Sequence, residues 1–133
     1  MPSPYPHLMP LEVPIWERYL ASTDLEFTSI TYDVHLGVGV PPDPSWPTWL
    51  VKQVAAVSRK RVDVLCETAD AVYIFEIKPR AGMGALGQLL AYEQLYRNEY
   101  HPTKPIIKVA LAERVESDVP AVFAQFGIRL VVV

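Results

Sequence analysis

Thiols are nearly absent from this chain: among 133 residues there is one cysteine, Cys66. A lone thiol excludes an internal disulfide and any zinc site assembled from several thiolates, and it fits a reducing, intracellular (cytoplasmic) setting. Long apolar runs are missing as well. The purely apolar stretches last a handful of residues, whereas a membrane span needs about 20. The opening residues, Met1-Pro2-Ser3-Pro4-Tyr5-Pro6, carry neither a basic flank nor an apolar stretch, so they do not read as a secretory signal. Charge of one sign is not in excess either, with 12 Lys and Arg against 15 Asp and Glu and a net charge of -3. That balance excludes a protein that coats nucleic acid by bulk charge, and it leaves room for a local basic patch.

What the chain does have is apolar content, 50%, with 20% charged and 11% aromatic residues. Those proportions describe one folded domain over residues 1–133, long enough to bury roughly two thirds of its unfolded surface. It also has 13 prolines, about twice the average share. Pro2, Pro4, Pro6 and Pro10 make residues 1–10 read as an extended arm. Pro41, Pro42, Pro44 and Pro47, with Gly37, Gly39, Asp43 and Ser45, make 37–47 a long irregular loop.

Between these breaks the hydrophobic period switches in an orderly way. Residues 11–21 carry Val13, Ile15, Trp16, Tyr19 and Leu20 at helical spacing, with Pro14 tolerable in the first turn. Residues 27–36 alternate Ile30, Tyr32, Val34 and Leu36 with polar neighbours, the pattern of a half-buried strand. Residues 49–58 fit either type. Residues 61–67 and 71–78 are β-rich runs joined by Thr68-Ala69-Asp70, which reads as a hairpin. A helix over 84–100 stops before His101-Pro102, 105–112 is a strand, 119–126 a short helix stopped by Gly127, and 128–133 a final strand. The order predicts an α/β fold (α+β mixed sheet) with helices on both faces.

The hairpin brings chemistry together. A turn centred between Ala69 and Asp70 opposes Leu65 to Ile74 and Asp63 to Glu76, and opposed residues share a face with Cβ atoms about 5 Å apart. Alternation puts Lys78 on that face too, with Tyr73, Phe75 and Ile77 on the other. Two carboxylates so placed repel unless a cation sits between them. Mg²⁺ takes one or two carboxylates plus waters and phosphate oxygens, and the lysine is then positioned to act on water or to offset phosphate charge. An ordinary cross-strand ion pair between Asp63 and Lys78 on a solvated face accounts for the same residues. Further along, Gly82, Gly84 and Gly87 loosen the start of the next helix, where backbone N–H groups suit a phosphate. On that helix Gln88 and Tyr92, four apart, stand on one face. Both side chains suit a nucleic-acid strand, although a half-buried Tyr92 beside a solvated Gln88 accounts for the pair as well. Arg61, Arg80, Lys52, Arg59 and Lys60 form a cationic rim around the acidic centre, or simply a solvated set of charges. Cys66 points away from the carboxylates and reads as a small buried residue.

Asp63, then Glu76-Ile77-Lys78, then Gln88-Leu89-Leu90-Ala91-Tyr92 resembles the PD-(D/E)XK nuclease superfamily. The Gln-x-x-x-Tyr element is similar to that of its RecB-type branch. The resemblance implies a restriction-endonuclease-like αβββαβ core, here with an additional C-terminal helix and strand. It further implies Mg²⁺ or Mn²⁺ held by Asp63 and Glu76, a catalytic Lys78, and hydrolysis of DNA phosphodiesters. Gln88 and Tyr92 would be supporting residues, with Arg61 and Arg80 on the nucleic acid. Many members add a glutamate from the first helix; Glu17 is the expected ligand and Glu12 its competitor. Val62 stands where the motif has proline, and His35 on the first strand is left outside the core set. Two other readings stand beside the nuclease: a catalytically silent domain of the same fold serving binding or assembly, and an unrelated α/β domain. The small size, the proline arm, Trp46 and Trp49 suggest a homodimer or a protein partner.

Overall fold

The runs of β period become the strands of one sheet, and the segments of helical period pack against it. In the computed structural model, which describes residues 4–37, 41–58 (side chains of 56–58 excepted) and 60–133, nine elements follow in order. They are α1 (Val13–Ser22), β1 (Ser29–Leu36), α2 (Thr48–Ser58), β2 (Lys60–Glu67), β3 (Val72–Ala81), α3 (Met83–Tyr100), β4 (Ile106–Val115), α4 (Val119–Gln125) and β5 (Ile128–Val132). Met1, Pro2, Ser3, Gly39 and Arg59 of the sequence reading lie outside the described residues. The five-stranded sheet has the order β1-β2-β3-β4-β5. Its first three strands pair antiparallel, β2 and β3 as a hairpin and β1 with β2 across the connection that holds α2. The β3–β4 and β4–β5 pairs are parallel, and α3 and α4 make the crossovers between them. The chain is therefore an α/β domain with a mixed sheet and four described helices.

Two apolar layers enclose the sheet. On one side α1 buries Ile15, Trp16 and Tyr19 against Val64, Cys66, Tyr73, Phe75, Ile77, Val109 and Leu111. Trp16 stands edge-on to Phe75 at 5.2 Å, and its indole N–H donates to the Tyr32 hydroxyl at 2.9 Å, which satisfies the one polar atom of a fully buried ring. On the other side α3 buries Ala85, Leu86, Leu89, Tyr92 and Tyr96, a repeat of three and four residues, against Val72, Ile74, Ala110 and Ala112. Helix α3 closes on His101 in the left-handed region (φ 47°) before Pro102, and the turn after α4 uses Gly127 at φ 69°. The central strand β3 is covered on both faces and is buried without a break from Val72 to Ile77.

Three local readings change. Residues 4–10 are not an extended arm: His7 adopts φ 63°, Leu8 is buried in the α1 layer, and Tyr5 packs on Tyr32 at 5.6 Å. Proline restricts φ without choosing a direction, and the two apolar side chains between the prolines fold the segment back. Residues 49–58, which fit either type, are helical in α2, where Trp49 remains 62% exposed. Gly84 and Gly87 do not loosen the chain after Lys78, because both lie inside α3. The described part of the 37–47 loop is irregular, with a turn at Asp43 whose carboxylate accepts from the Ser45 N–H and hydroxyl.

Candidate functional site

The site is made by two neighbouring strands that part. β2 and β3 pair from Glu67–Val72 through Val64–Phe75, and one step further the same register sets Asp63 opposite Glu76. There the ladder stops, and the Asp63 Oδ2 accepts the Ile77 N–H at 2.9 Å. A side-chain oxygen stands where a strand carbonyl would be, which lets the strands separate without leaving a buried donor unpaired. β1 breaks at the same level. Tyr32–Val64 and Val34–Val62 are register partners, while Asp33 between them sits at φ 53°. Tyr32 and Val64 pack into the α1 layer, whereas Val34 and Val62 pack into the α3 layer. Both strands therefore reverse their facing at Asp33 and Asp63.

Glu76 is 3% exposed, and its Oε2 has no hydrogen-bond partner among the described residues. Its Oε1 lies 3.6 Å from the Lys78 Nζ, on a side chain 34% exposed. Burial pushes the Glu76 carboxyl well above the ordinary range, Asp63 adds to that, and Lys78 offsets only part. Tyr92 reaches the same place from α3. Its hydroxyl is pushed up first by burial and then by the Glu76 and Asp63 carboxylates, and Gln88 Nε2 donates to it at 3.5 Å. From α1 the acid whose charge couples to this group is Glu12, at the N-cap. Burial raises its carboxyl, the Met9 N–H at 3.0 Å lowers it, and the Asp63 and Lys78 charges both act on it.

Asp63, Glu76, Lys78, Gln88 and Tyr92 are thus brought together, and three other expected residues are not. Glu17 is exposed and accepts from the Tyr5 hydroxyl at 3.5 Å. It follows Trp16, and the buried face of α1 is the Ile15, Trp16, Tyr19 side rather than the Val13, Leu20 side. Arg61 turns to the β1 edge, with its Nε 3.7 Å from Asp33 Oδ1 and its Nη1 3.5 Å from His7 Nδ1. Arg80 lies at the exposed end of β3, which runs on to Ala81, but alternation fails before it gets there. Ile77 packs in the α1 layer and Ala81 in the α3 layer, so the facing of β3 reverses between them and simple alternation from Lys78 does not carry Arg80 to the carboxylates.

Sequence reasoning also missed a polar cluster on β1: the Asp33 Oδ2 lies 3.0 Å from His7 Nε2 and 3.3 Å from His35 Nε2. With Arg61 at His7 Nδ1, that ring is best accommodated with its Nε2–H on Asp33 and Nδ1 accepting, a hydrogen-bonded network rather than a metal cage. Its only signal was three polar residues spread over two segments. Cys66 is buried in the α1 layer, where desolvation pushes its thiol up to about 12, so it is inert as a nucleophile. The start of α3 is not open to an anion, because the Glu116 carboxylate lies 2.6 Å from where a Cβ on Gly82 would stand. A depression of about 620 Å³ opens at the far end of the hairpin, beside Phe27, Asp70, Tyr73 and Pro105, and none of the site residues lines it.

Among the described residues no group of three or more His, Cys, Asp or Glu side chains is gathered to hold a metal alone. The pair Asp63 and Glu76, with one buried carboxylate oxygen lacking a partner, fits an ion that keeps waters or phosphate oxygens for its remaining positions. Comparison with protein-family models, curated proteins and solved structures finds no match to this chain. No described helix is long and apolar enough to cross a membrane.

Proposed function

We propose that the chain is a Mg²⁺- or Mn²⁺-dependent nuclease that hydrolyses DNA phosphodiesters on a restriction-endonuclease-like αβββαβ core. In that reading the core is α1, β1, β2, β3, α3 and β4, with α2 inserted between β1 and β2, and α4 and β5 appended. One observation carries it: a carboxylate, Glu76, sunk to 3% exposure with an unpartnered oxygen, beside a second carboxylate and a lysine where two strands part. Without a cation, burial holds this carboxyl protonated well above the ordinary range, and a bound ion is what would let it ionise there. Asp63 and Glu76 would hold the ion, and Glu12, whose carboxyl interacts with the Asp63 and Lys78 charges, would support it from α1 in place of the exposed Glu17. Bound there, such an ion supplies charge neutralisation at phosphate and an activated water. Lys78, part-exposed, orients that water or offsets charge developing on the phosphoryl oxygens. Tyr92, its hydroxyl pushed up by burial and by both carboxylates, stands beside the pair, and Gln88 donates to that hydroxyl.

The mild acidity of the chain favours a second reading, a catalytically silent domain of the same fold used for binding or assembly. The two part in one assay: incubation with single-stranded, duplex and branched DNA under Mg²⁺ and under Mn²⁺. Cleavage that disappears in Asp63→Asn is the expected result. No cleavage of any substrate by the wild type under either ion overturns the nuclease.

A further inference from the structure

Beyond the carboxylate centre, the ends of β3 and β4 carry an arrangement that stability alone disfavours. Arg80 and Arg114 are direct register partners in the parallel β3–β4 pair, and both are exposed. Partners on adjacent strands project to the same side, so the rung carries two like charges from neighbouring Cα positions, and like charges so placed destabilise a sheet. Arg18, Arg61 and Arg97 each hold a carboxylate, at 3.0, 3.7 and 3.0 Å. Among the described residues neither Arg80 nor Arg114 does. The acids nearest Arg114 in sequence are turned elsewhere: Glu113 to Arg18, and Glu116 onto Gly82. The rung lies two residues past the Lys78–Ala112 pair, about 7 Å along the strands.

We propose that Arg80 and Arg114 together form a binding site for a backbone phosphate of a nucleic-acid strand. The ligand's identity as DNA rests on the nuclease reading; the paired anion site does not. Two planar guanidinium forks side by side match tetrahedral phosphate oxygens, which a single lysine cannot do. A bound phosphate also removes the repulsion that the free rung carries. The site reads backbone, not sequence.

The test is equilibrium binding of a labelled single-stranded 20-mer and of its duplex, with Ca²⁺ replacing Mg²⁺, across a salt series. Arg114→Ala and Arg80→Ala should each weaken binding about tenfold near 0.1 M salt. Each should also flatten the log–log salt slope by about one. Arg114→Lys should recover part of the affinity, and the melting temperature of Arg114→Ala should hold or rise as like-charge repulsion is lost. Unchanged affinity and slope in both alanine variants would overturn the rung. Rung-dependent binding by a wild type that cleaves nothing would instead reject the nuclease and leave the phosphate site standing. Cleavage with rung-independent binding would reject the rung alone.

Discussion

Glu76 and Glu93 are both carboxylates set between α3 and the sheet, and their surroundings are opposite. Glu93 meets the Lys108 Nζ at 2.6 Å and the Arg97 Nη2 at 3.0 Å. Burial alone would raise its carboxyl, but the bonds to Lys108 and Arg97 outweigh that and bring it below the ordinary value. Glu76 is buried more deeply, its one cation stands at 3.6 Å, and a second carboxylate adds repulsion. One pair is complete and structural; the other is held open by its own fold. Since unmatched burial of charge works against stability, the incomplete pair is where a ligand has most to add.

That contrast breaks first at the lysines. Lys78→Ala should lower single-turnover cleavage under Mn²⁺ by roughly a hundredfold or more, the scale of one lost electrostatic or acid–base group. Its stability should move by at most about 1 kcal/mol, because the side chain is a third exposed. Affinity for Mn²⁺, followed by calorimetry, should hold or rise, since the carboxylates lose a competing cation. Full cleavage by the variant would show that Lys78 is to Glu76 what Lys108 is to Glu93, an ordinary structural partner.

The glutamates give a smaller effect with a sign. A carboxyl raised in the folded state contributes stability that is fully present below its unfolded value, near 4.3, and is lost as pH rises through the folded value. Glu76 is of that kind. Glu93, lowered in the fold, contributes stability present above the unfolded value and lost as pH falls through the folded one. Urea denaturation in EDTA at pH 8 should therefore find Glu76→Gln more stable than wild type by about 1 kcal/mol, and Glu93→Gln less stable by about as much. Mn²⁺ should remove the advantage of Glu76→Gln by stabilising only the wild type. Equal losses in the two variants would mean that Glu76 is as fully partnered as Glu93.

The two regions also differ in how far they could be read from residues alone. The Asp63–Glu76 opposition follows from a short turn and a period of two, both local, and the register carries it. Helix α3 was legible from local composition, rich in Leu, Ala, Gln and Glu, with His101-Pro102 to end it. The Glu93–Lys108 pair joins a helix to a strand beyond it, a contact that no local pattern announces. The reversal of facing at Asp33 and Asp63 was equally hidden. It depends on one positive φ in β1 and on a side chain, Asp63, replacing a ladder acceptor. The same break misled the reading of Arg61, whose strand neighbour Val62 faces the α3 layer although alternation from Val64 places it in the other.

The choice between Glu12 and Glu17 is the finest discrimination. A helical wheel favours Glu17, because it shares a face with Val13 and Leu20. Those two residues only flank the buried face, however, and the fold back of residues 4–10 gives Glu17 an exposed contact with Tyr5 instead. Glu12 lies at the N-cap, where the same fold back hands it the Met9 N–H and its charge acts on Asp63 and Lys78. As a third acid around an ion it would act through charge and through water, a weaker contribution than that of either strand carboxylate. Glu12→Gln should cut cleavage about tenfold and weaken Mn²⁺ binding, with stability nearly unchanged, since the amide oxygen still accepts from Met9. Glu17→Gln should stay within about twofold of wild type in both measurements. If the order reversed, with Glu17→Gln the damaging change, α1 would have to turn by about one residue on the sheet when the ion binds, 100° of helix rotation. That movement would tear Trp16 from Tyr32 and Phe75, so tryptophan fluorescence would report it in the same titration.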